Sequence, residues 1–173
     1  SLGVQELIVG GQTMNPSVAE LLEAVERVPA DEVVVLPNNS NIVAAAHSID
    51  EQSEKRVVVV PTNSVPEGFA SLLGYDPESD AASNAESMAE IAQGVVVGEV
   101  TSAVRATTTS VGEVSTGDWV GLDRSGVRSI AETPAAAATA LLDELVDQEH
   151  EILTVIVGEG VRDAETRAVT EWI

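Results

Sequence analysis

The chain has 173 residues with 29 acidic against 8 basic side chains, a formal net charge of −21, and no cysteine. This length favours a single domain that buries its core without disulfides, and the missing cysteines exclude a disulfide scaffold and a cysteine nucleophile. One lysine and seven scattered arginines argue against binding to nucleic acid or to an anionic membrane surface. No apolar run reaches the roughly 18 residues of a membrane span, and we expect a cytoplasmic protein.

The first part of the chain alternates strand and helix patterns. A strand is predicted to end at Leu7–Val9 and to begin as early as Val4. The helix that follows is marked by Asn15 as N-cap ahead of Pro16 and by the capping box Ser17-x-x-Glu20.

Two valine runs predict further buried strands, at Asp31–Leu36 and at Arg56–Val60, each followed by a helix. Continuous apolar strands separated by helices are typical of a parallel sheet covered on both faces. Residues 1–75 are therefore predicted to form two consecutive βαβ units.

The pattern changes after a predicted helix at Ala85–Ala92. Residues 95–109 alternate as a half-solvated strand, and short strands are predicted at Val111–Val114, Asp118–Leu122 and Val127–Ile130. Residues 123–126 form a turn in which glycine supplies a positive φ. This region is predicted to be an antiparallel meander inserted at about 95–130.

The last part returns to the helix and strand alternation. Thr133 begins a helix that extends to about Val146, Ile152–Val157 is predicted as a buried strand of the parallel sheet, and Asp163 caps a final helix. That helix carries Val169, Trp172 and Ile173 on its apolar side. The predicted fold class is α/β, a mostly parallel sheet covered by helices, with the meander insertion, in one domain over 1–173.

Three polar loops follow the predicted parallel strands, and we call them together the crest. The carboxyl ends of parallel strands lie at one edge of a sheet, where open α/β proteins bind ligands. The loops offer uncharged donors and acceptors, which suit a carboxylate, an amide or a protein surface, although turn formation and helix capping alone explain them about as well. The candidate ligand- or partner-binding residues are Gly10, Gly11, Gln12, Thr13, Asn15, Ser17, Asn38, Asn39, Asn41, Thr62, Asn63 and Ser64.

No catalytic or metal-binding residue is predicted. His47 lies in a helix without acidic neighbours, and His150 lies in a short loop whose adjacent residues make a weak ligand set. Arg105 is unusual in so acidic a chain, and either a surface acid or an acidic partner would explain it. No G-x-S-x-G elbow and no Ser-His-Asp set can be assembled.

Several segments resemble the C-terminal domain of the dihydroxyacetone-kinase-like kinase subunit of bacterial fatty acid kinase. The resemblance covers essentially the whole chain, and its most specific part is the string GGQTMNPS at Gly10–Ser17. Supporting matches are Pro37–Ile42, Val59–Gly68, Phe69–Asp76, Gly98–Thr101 through Val104–Arg105, Gly117–Gly121 and Val155–Glu159.

The resemblance implies a DegV-like fold and a non-catalytic domain that docks an acyl-carrying, DegV-type fatty-acid-binding protein. It also implies that the chain, which lacks an initiating methionine, is a fragment of a larger ATP-dependent kinase that converts fatty acid to acyl phosphate. ATP and Mg²⁺ would then bind in an N-terminal domain, and this chain would need no cofactor. Two alternatives stay open: a regulatory domain that binds a carboxylate or acyl ligand, and an oligomerisation domain, such as a homodimer, with Val169, Trp172 and Ile173 at its interface.

Overall fold

A computed structural model describes residues 3–10, 15–158 and 160–173. The chain divides into two compact units, Ser1–Val95 and Val96–Ile173. The single domain over 1–173 stays a prediction.

The first unit is a two-stranded parallel sheet with helices on both faces. Its β1 and β2 pair in parallel, with Val33 opposite Val57. Its elements are α1 (Val18–Arg27), β1 (Glu32–Val35), α2 (Ser40–His47), β2 (Arg56–Val59), α3 (Val65–Ser71), a 3-10 helix (Leu72–Gly74) and α4 (Ala81–Gly94).

The alternation of side chains along β1 and β2 creates two apolar cores, one on each face of the sheet. Val33 and Val35 face a core built mainly from α1 and α2, which includes Leu21, Val25, Ile42, Ala46 and Ile49. Val34 faces the other core, in which Met88 of α4 is 2% exposed. The prediction that valine-rich strands are covered on both faces is confirmed for β1 and β2.

Lys55, the only lysine of the chain, closes the end of α1. Its Nζ donates hydrogen bonds to the carbonyl oxygens of Val25, Glu26 and Val28, at 2.9, 2.8 and 2.5 Å. These carbonyls lie where a helix has unpaired acceptors and the negative end of its dipole. The ammonium group therefore stabilises the C-terminus of α1.

The second unit is an antiparallel sheet packed against a helix. The sheet order is β3-β6-β7, and β4 and β5 form a separate antiparallel pair. A Cβ on Gly121 would lie 3.0 Å from Cβ of Leu141, so the missing side chain lets α5 approach the sheet. The elements are β3 (Glu99–Ser102), β4 (Thr107–Thr108), β5 (Glu113–Val114), β6 (Trp119–Asp123), β7 (Gly126–Ala131), α5 (Pro134–Leu145) and α6 (Asp163–Trp172).

The expectation of a mostly parallel sheet is not confirmed, because β1 and β2 form the one parallel pair among the described residues. Neither 4–9 nor 152–157 is a strand: Val9 is 89% and Ile152 83% exposed, although Ile8 packs against the first core. Apolar runs favour burial, but a strand also needs a neighbour to accept its backbone hydrogen bonds, and neither run has one in the described structure.

Other boundaries also differ from the prediction. The alternating segment 95–109 is not one strand, because the chain leaves β3 after Ser102. Ser17, not Asn15, is the N-cap of α1, and its capping box with Glu20 is confirmed. Asp163 is the first residue of α6 rather than its cap, and Val169 is buried, which leaves Trp172 and Ile173 as the exposed part of that apolar side.

Candidate functional site

Two of the crest loops meet at the carboxyl edge of β1 and β2. The backbone N–H of Asn38 donates a hydrogen bond of 3.0 Å to Oγ1 of Thr62, and the hydroxyl of Thr62 donates one of 2.8 Å to Oδ1 of Asn38. Thr62 is completely buried. The parallel pairing of the strands therefore brings the loops together as the sequence analysis expected, and Asn38 and Thr62 hold them in place.

The backbone at Asn38 adopts a left-handed conformation, with φ of 55°. Asparagine tolerates this region better than most residues, but it is uncommon outside glycine. Its side chain lies against α3 at Gly68, where an added Cβ would come within 1.8 Å of Oδ1 of Asn38. Gly68 is thus the one residue type that lets α3 pack directly on the crest.

The loop before α3 is held by a buried carboxylate. Oε2 of Glu67 accepts a hydrogen bond of 2.8 Å from the backbone N–H of Asn63 and a longer one, 3.4 Å, from its side-chain amide. Ser64 caps α3 by accepting from the N–H of Glu67. Glu67 is 3% exposed, so the carboxylate serves to order the crest and does not face solvent.

The remaining crest residues differ in their availability. Asn39 caps α2 by accepting from the N–H of Asn41, and the Asn41 side chain is exposed. Asn15 and Ser17 are exposed at the start of α1, and Gly10 is exposed before it. Gly11, Gln12, Thr13 and Met14 lie outside the described residues, so the binding role predicted for the first three stays a prediction.

The arrangement favours recognition over proton transfer. Thr62, Asn39 and Ser64 use their hydrogen-bonding groups within the protein, whereas Asn41 and Asn63 are exposed beside them. Rigid loops that present amide groups can bind a carboxylate, an amide or a peptide backbone. The nearest ionisable group in the described crest is the buried Glu67.

The two histidines lie away from the crest. His47 is exposed in the last turn of α2, and Nδ1 of His150 lies 2.8 Å from Oδ1 of Asp147 in the turn after α5. The pKa of Asp147 is lowered, first by the hydrogen bond from the N–H of Glu149 and also by His150. No group of three or more His, Cys, Asp or Glu that could hold a metal is found in the described part of the chain.

Arg105, for which two explanations were open, makes no ion pair with the described acidic side chains and is exposed. By contrast, Arg27, Arg56, Arg128 and Arg162 all pair with carboxylates. The described structure therefore does not support pairing of Arg105 with a surface acid of its own chain.

Sequence reasoning missed two contributors to the crest, Glu67 and Gly68. The pattern Ser64-x-x-Glu67 indicates a helix start, which is confirmed, but it gives no sign that the carboxylate is buried and turned toward Asn63. A glycine in the middle of a short helix is itself informative, because it weakens the helix unless close packing requires it.

None of the described helices is long and apolar enough to cross a lipid bilayer. The chain is 35% identical over its full length to Protein YloV of Bacillus subtilis (strain 168), of which it covers 31%. It is similarly related to a protein of Staphylococcus haemolyticus (strain JCSC1435), at 35% identity and 31% coverage, and to one of Staphylococcus aureus (strain USA300), at 34% and 32%. The chain thus spans about a third of the length of these relatives. The family model of the FakA-like C-terminal domain, a domain of fatty acid kinase, matches residues 1–173, and the chain belongs to this family.

Proposed function

We propose that this chain is the partner-docking domain of the kinase component of a fatty acid kinase, and that its crest contacts the partner. The partner would be a DegV-type fatty-acid-binding protein that carries the acyl chain. The whole cytoplasmic kinase would transfer the γ-phosphoryl group of ATP to the fatty-acid carboxylate, giving acyl phosphate and ADP, with ATP and Mg²⁺ bound outside this chain.

The observation that carries the proposal is the bracing of the crest. Asn38, Thr62 and Glu67 use hydrogen bonds to fix two loops, and the exposed amides of Asn41 and Asn63 lie on them. A preordered surface loses little conformational entropy when a partner binds. Membership of the family over the whole chain supports the kinase context.

Calorimetric titration of the chain with the fatty-acid-binding protein of the same cell, with and without acyl chain, tests this proposal. Saturable binding is expected. The double variant Asn41→Ala/Asn63→Ala is expected to bind about tenfold more weakly, since each lost hydrogen bond contributes roughly 0.5–1.5 kcal/mol. The matched control is Gln93→Ala, which removes an exposed amide from the end of α4.

Two results would contradict the proposal. One is the absence of any binding heat from a chain whose circular dichroism shows that it is folded. The other is equal weakening by the crest variant and by Gln93→Ala, because the crest would then have no special part in recognition. In the first case, mass spectrometry of the purified chain would ask whether it carries a lipid of its own.

A further inference from the structure

An exposed apolar stripe runs along α3 and the 3-10 helix that continues it. Val65 is 56%, Phe69 49% and Leu73 70% exposed. Residues spaced by four lie above one another on one side of a helix, so these side chains form a continuous strip. Phe69 is also the only phenylalanine of the chain. We call Val65, Phe69 and Leu73 the stripe.

The stripe is not needed for the core of its own unit. The buried side of α3 consists of Glu67, Gly68 and Ser71, and Leu72 already packs against the second core. Isolated exposed apolar residues are ordinary on protein surfaces, whereas contiguous ones mark interaction sites. Aromatic side chains are enriched among the residues that dominate binding energy.

The surroundings of the stripe are acidic. Residues 57–95 contain six acidic side chains and no lysine, arginine or histidine. Five of the six are exposed, and Asp76 and Glu78 follow Leu73 closely in the chain. A partner that covers the stripe therefore meets negative charge around an apolar centre, and complementary potentials favour such encounters.

The stripe is also continuous with the crest. Ser64, a crest residue, caps the helix that carries it, and Asn63 comes two residues before Val65. A partner seated on the exposed amides would have the apolar strip beside it. This arrangement corresponds to the usual design of a protein interface, an apolar centre with a polar rim.

We propose that the stripe is the hydrophobic centre of the interface with a protein partner whose matching surface is an apolar recess rimmed by lysine and arginine. The inference rests on the proposed function, because the partner is taken to be the same fatty-acid-binding protein. It adds where the binding energy is concentrated and which charge the partner presents.

The test is a titration of the chain and its variants with the fatty-acid-binding protein, at about 50 mM and about 500 mM salt. The variants are Phe69→Ser and Leu73→Ser, combined, and the matched control is Val104→Ser, which replaces a side chain that is 90% exposed in the other unit. The double stripe variant is expected to bind at least tenfold more weakly, as is usual for central interface residues, whereas Val104→Ser binds as the parent does. Affinity is expected to fall as salt is raised.

The outcomes separate the two proposals. If the parent chain does not bind, the proposed function fails and the stripe assignment fails with it. If the parent binds and the stripe variant binds equally well, the stripe assignment is overturned while the docking function stands. Binding that is unchanged by salt overturns the basic rim. If sedimentation shows a dimer of the parent that the stripe variant converts to a monomer, the stripe covers a second copy of the chain and the proposed occupant is wrong.

Discussion

Replacing Gly68 with alanine tests the contact between α3 and the crest. On helix propensity alone, Gly68→Ala should stabilise the protein by about 1 kcal/mol, because alanine is the better helix former. The structure predicts the opposite. The new Cβ would lie 1.8 Å from Oδ1 and 2.6 Å from Cγ of Asn38, far inside any allowed contact, so the Asn38 side chain must move.

The cost follows from what Asn38 does. Its displacement breaks the hydrogen bond from the Thr62 hydroxyl and disturbs the one from its own N–H to Thr62, each contributing about 1 kcal/mol. Thr62 is completely buried, so its hydroxyl cannot turn to water, and an unsatisfied buried hydroxyl costs roughly 1–3 kcal/mol. After the gain in helix propensity is subtracted, Gly68→Ala should lower the free energy of unfolding by about 2 kcal/mol.

A double-mutant cycle with Asn38→Gly isolates this effect. Glycine accepts the left-handed backbone at position 38 without strain, and it removes the atoms that the new Cβ would meet. In the Asn38→Gly background, Gly68→Ala should therefore be neutral or stabilising. The control is Gly94→Ala, at the end of α4, where an added Cβ meets no atom within 4 Å.

Urea unfolding followed by far-UV circular dichroism measures each variant. Both tryptophans, Trp119 and Trp172, lie in the second unit, so hydrogen exchange of peptides from residues 15–95 is needed to assign the loss to the first unit. The reasoning is refuted if Gly68→Ala is as stable as the parent, or if its effect is the same in the Asn38→Gly background.

Two further predictions concern stability. Lys55→Met keeps the apolar stem but removes the ammonium group that closes α1, and it should lower the free energy of unfolding by about 1–3 kcal/mol in urea titrations; an unchanged midpoint would show that the three hydrogen bonds contribute nothing net. The pKa of Glu32 is lowered by the hydrogen bond from the N–H of Ala81 and by Arg56, so its contribution is present above the unfolded-state pKa of about 4 and is lost as the pH falls through the lower folded-state value. Thermal unfolding at constant ionic strength should show stability falling below about pH 4, less steeply in Glu32→Gln, and identical slopes in the two proteins would contradict this.

The features that sequence predicted well depend on local hydrogen bonds. The capping box of Ser17 and Glu20, the cap at Thr133 and the turn closed by Asp123 all form within four residues, and all are present. In the turn, Gly126 has a φ of 127°, as its position required.

The features that sequence predicted poorly depend on distant partners. Residues 4–9 and 152–157 have the apolar composition of strands, but composition does not supply the neighbouring backbone that a strand must pair with. In the candidate site, the meeting of Asn38 and Thr62 followed from parallel strands. The contact with Gly68 could not, because it depends on how α3 packs against the loop.

The closure of α1 by Lys55 has a consequence for chemical mapping of any complex. Amine-directed cross-linkers and acylating labels act on lysine, and the sole lysine of this chain has its Nζ surrounded by three carbonyl oxygens at hydrogen-bonding distance. Such reagents will report little about where a partner sits, and reaction at Lys55 would signal loosening of α1. Carbodiimide coupling through the abundant exposed carboxylates is the chemistry that this surface offers.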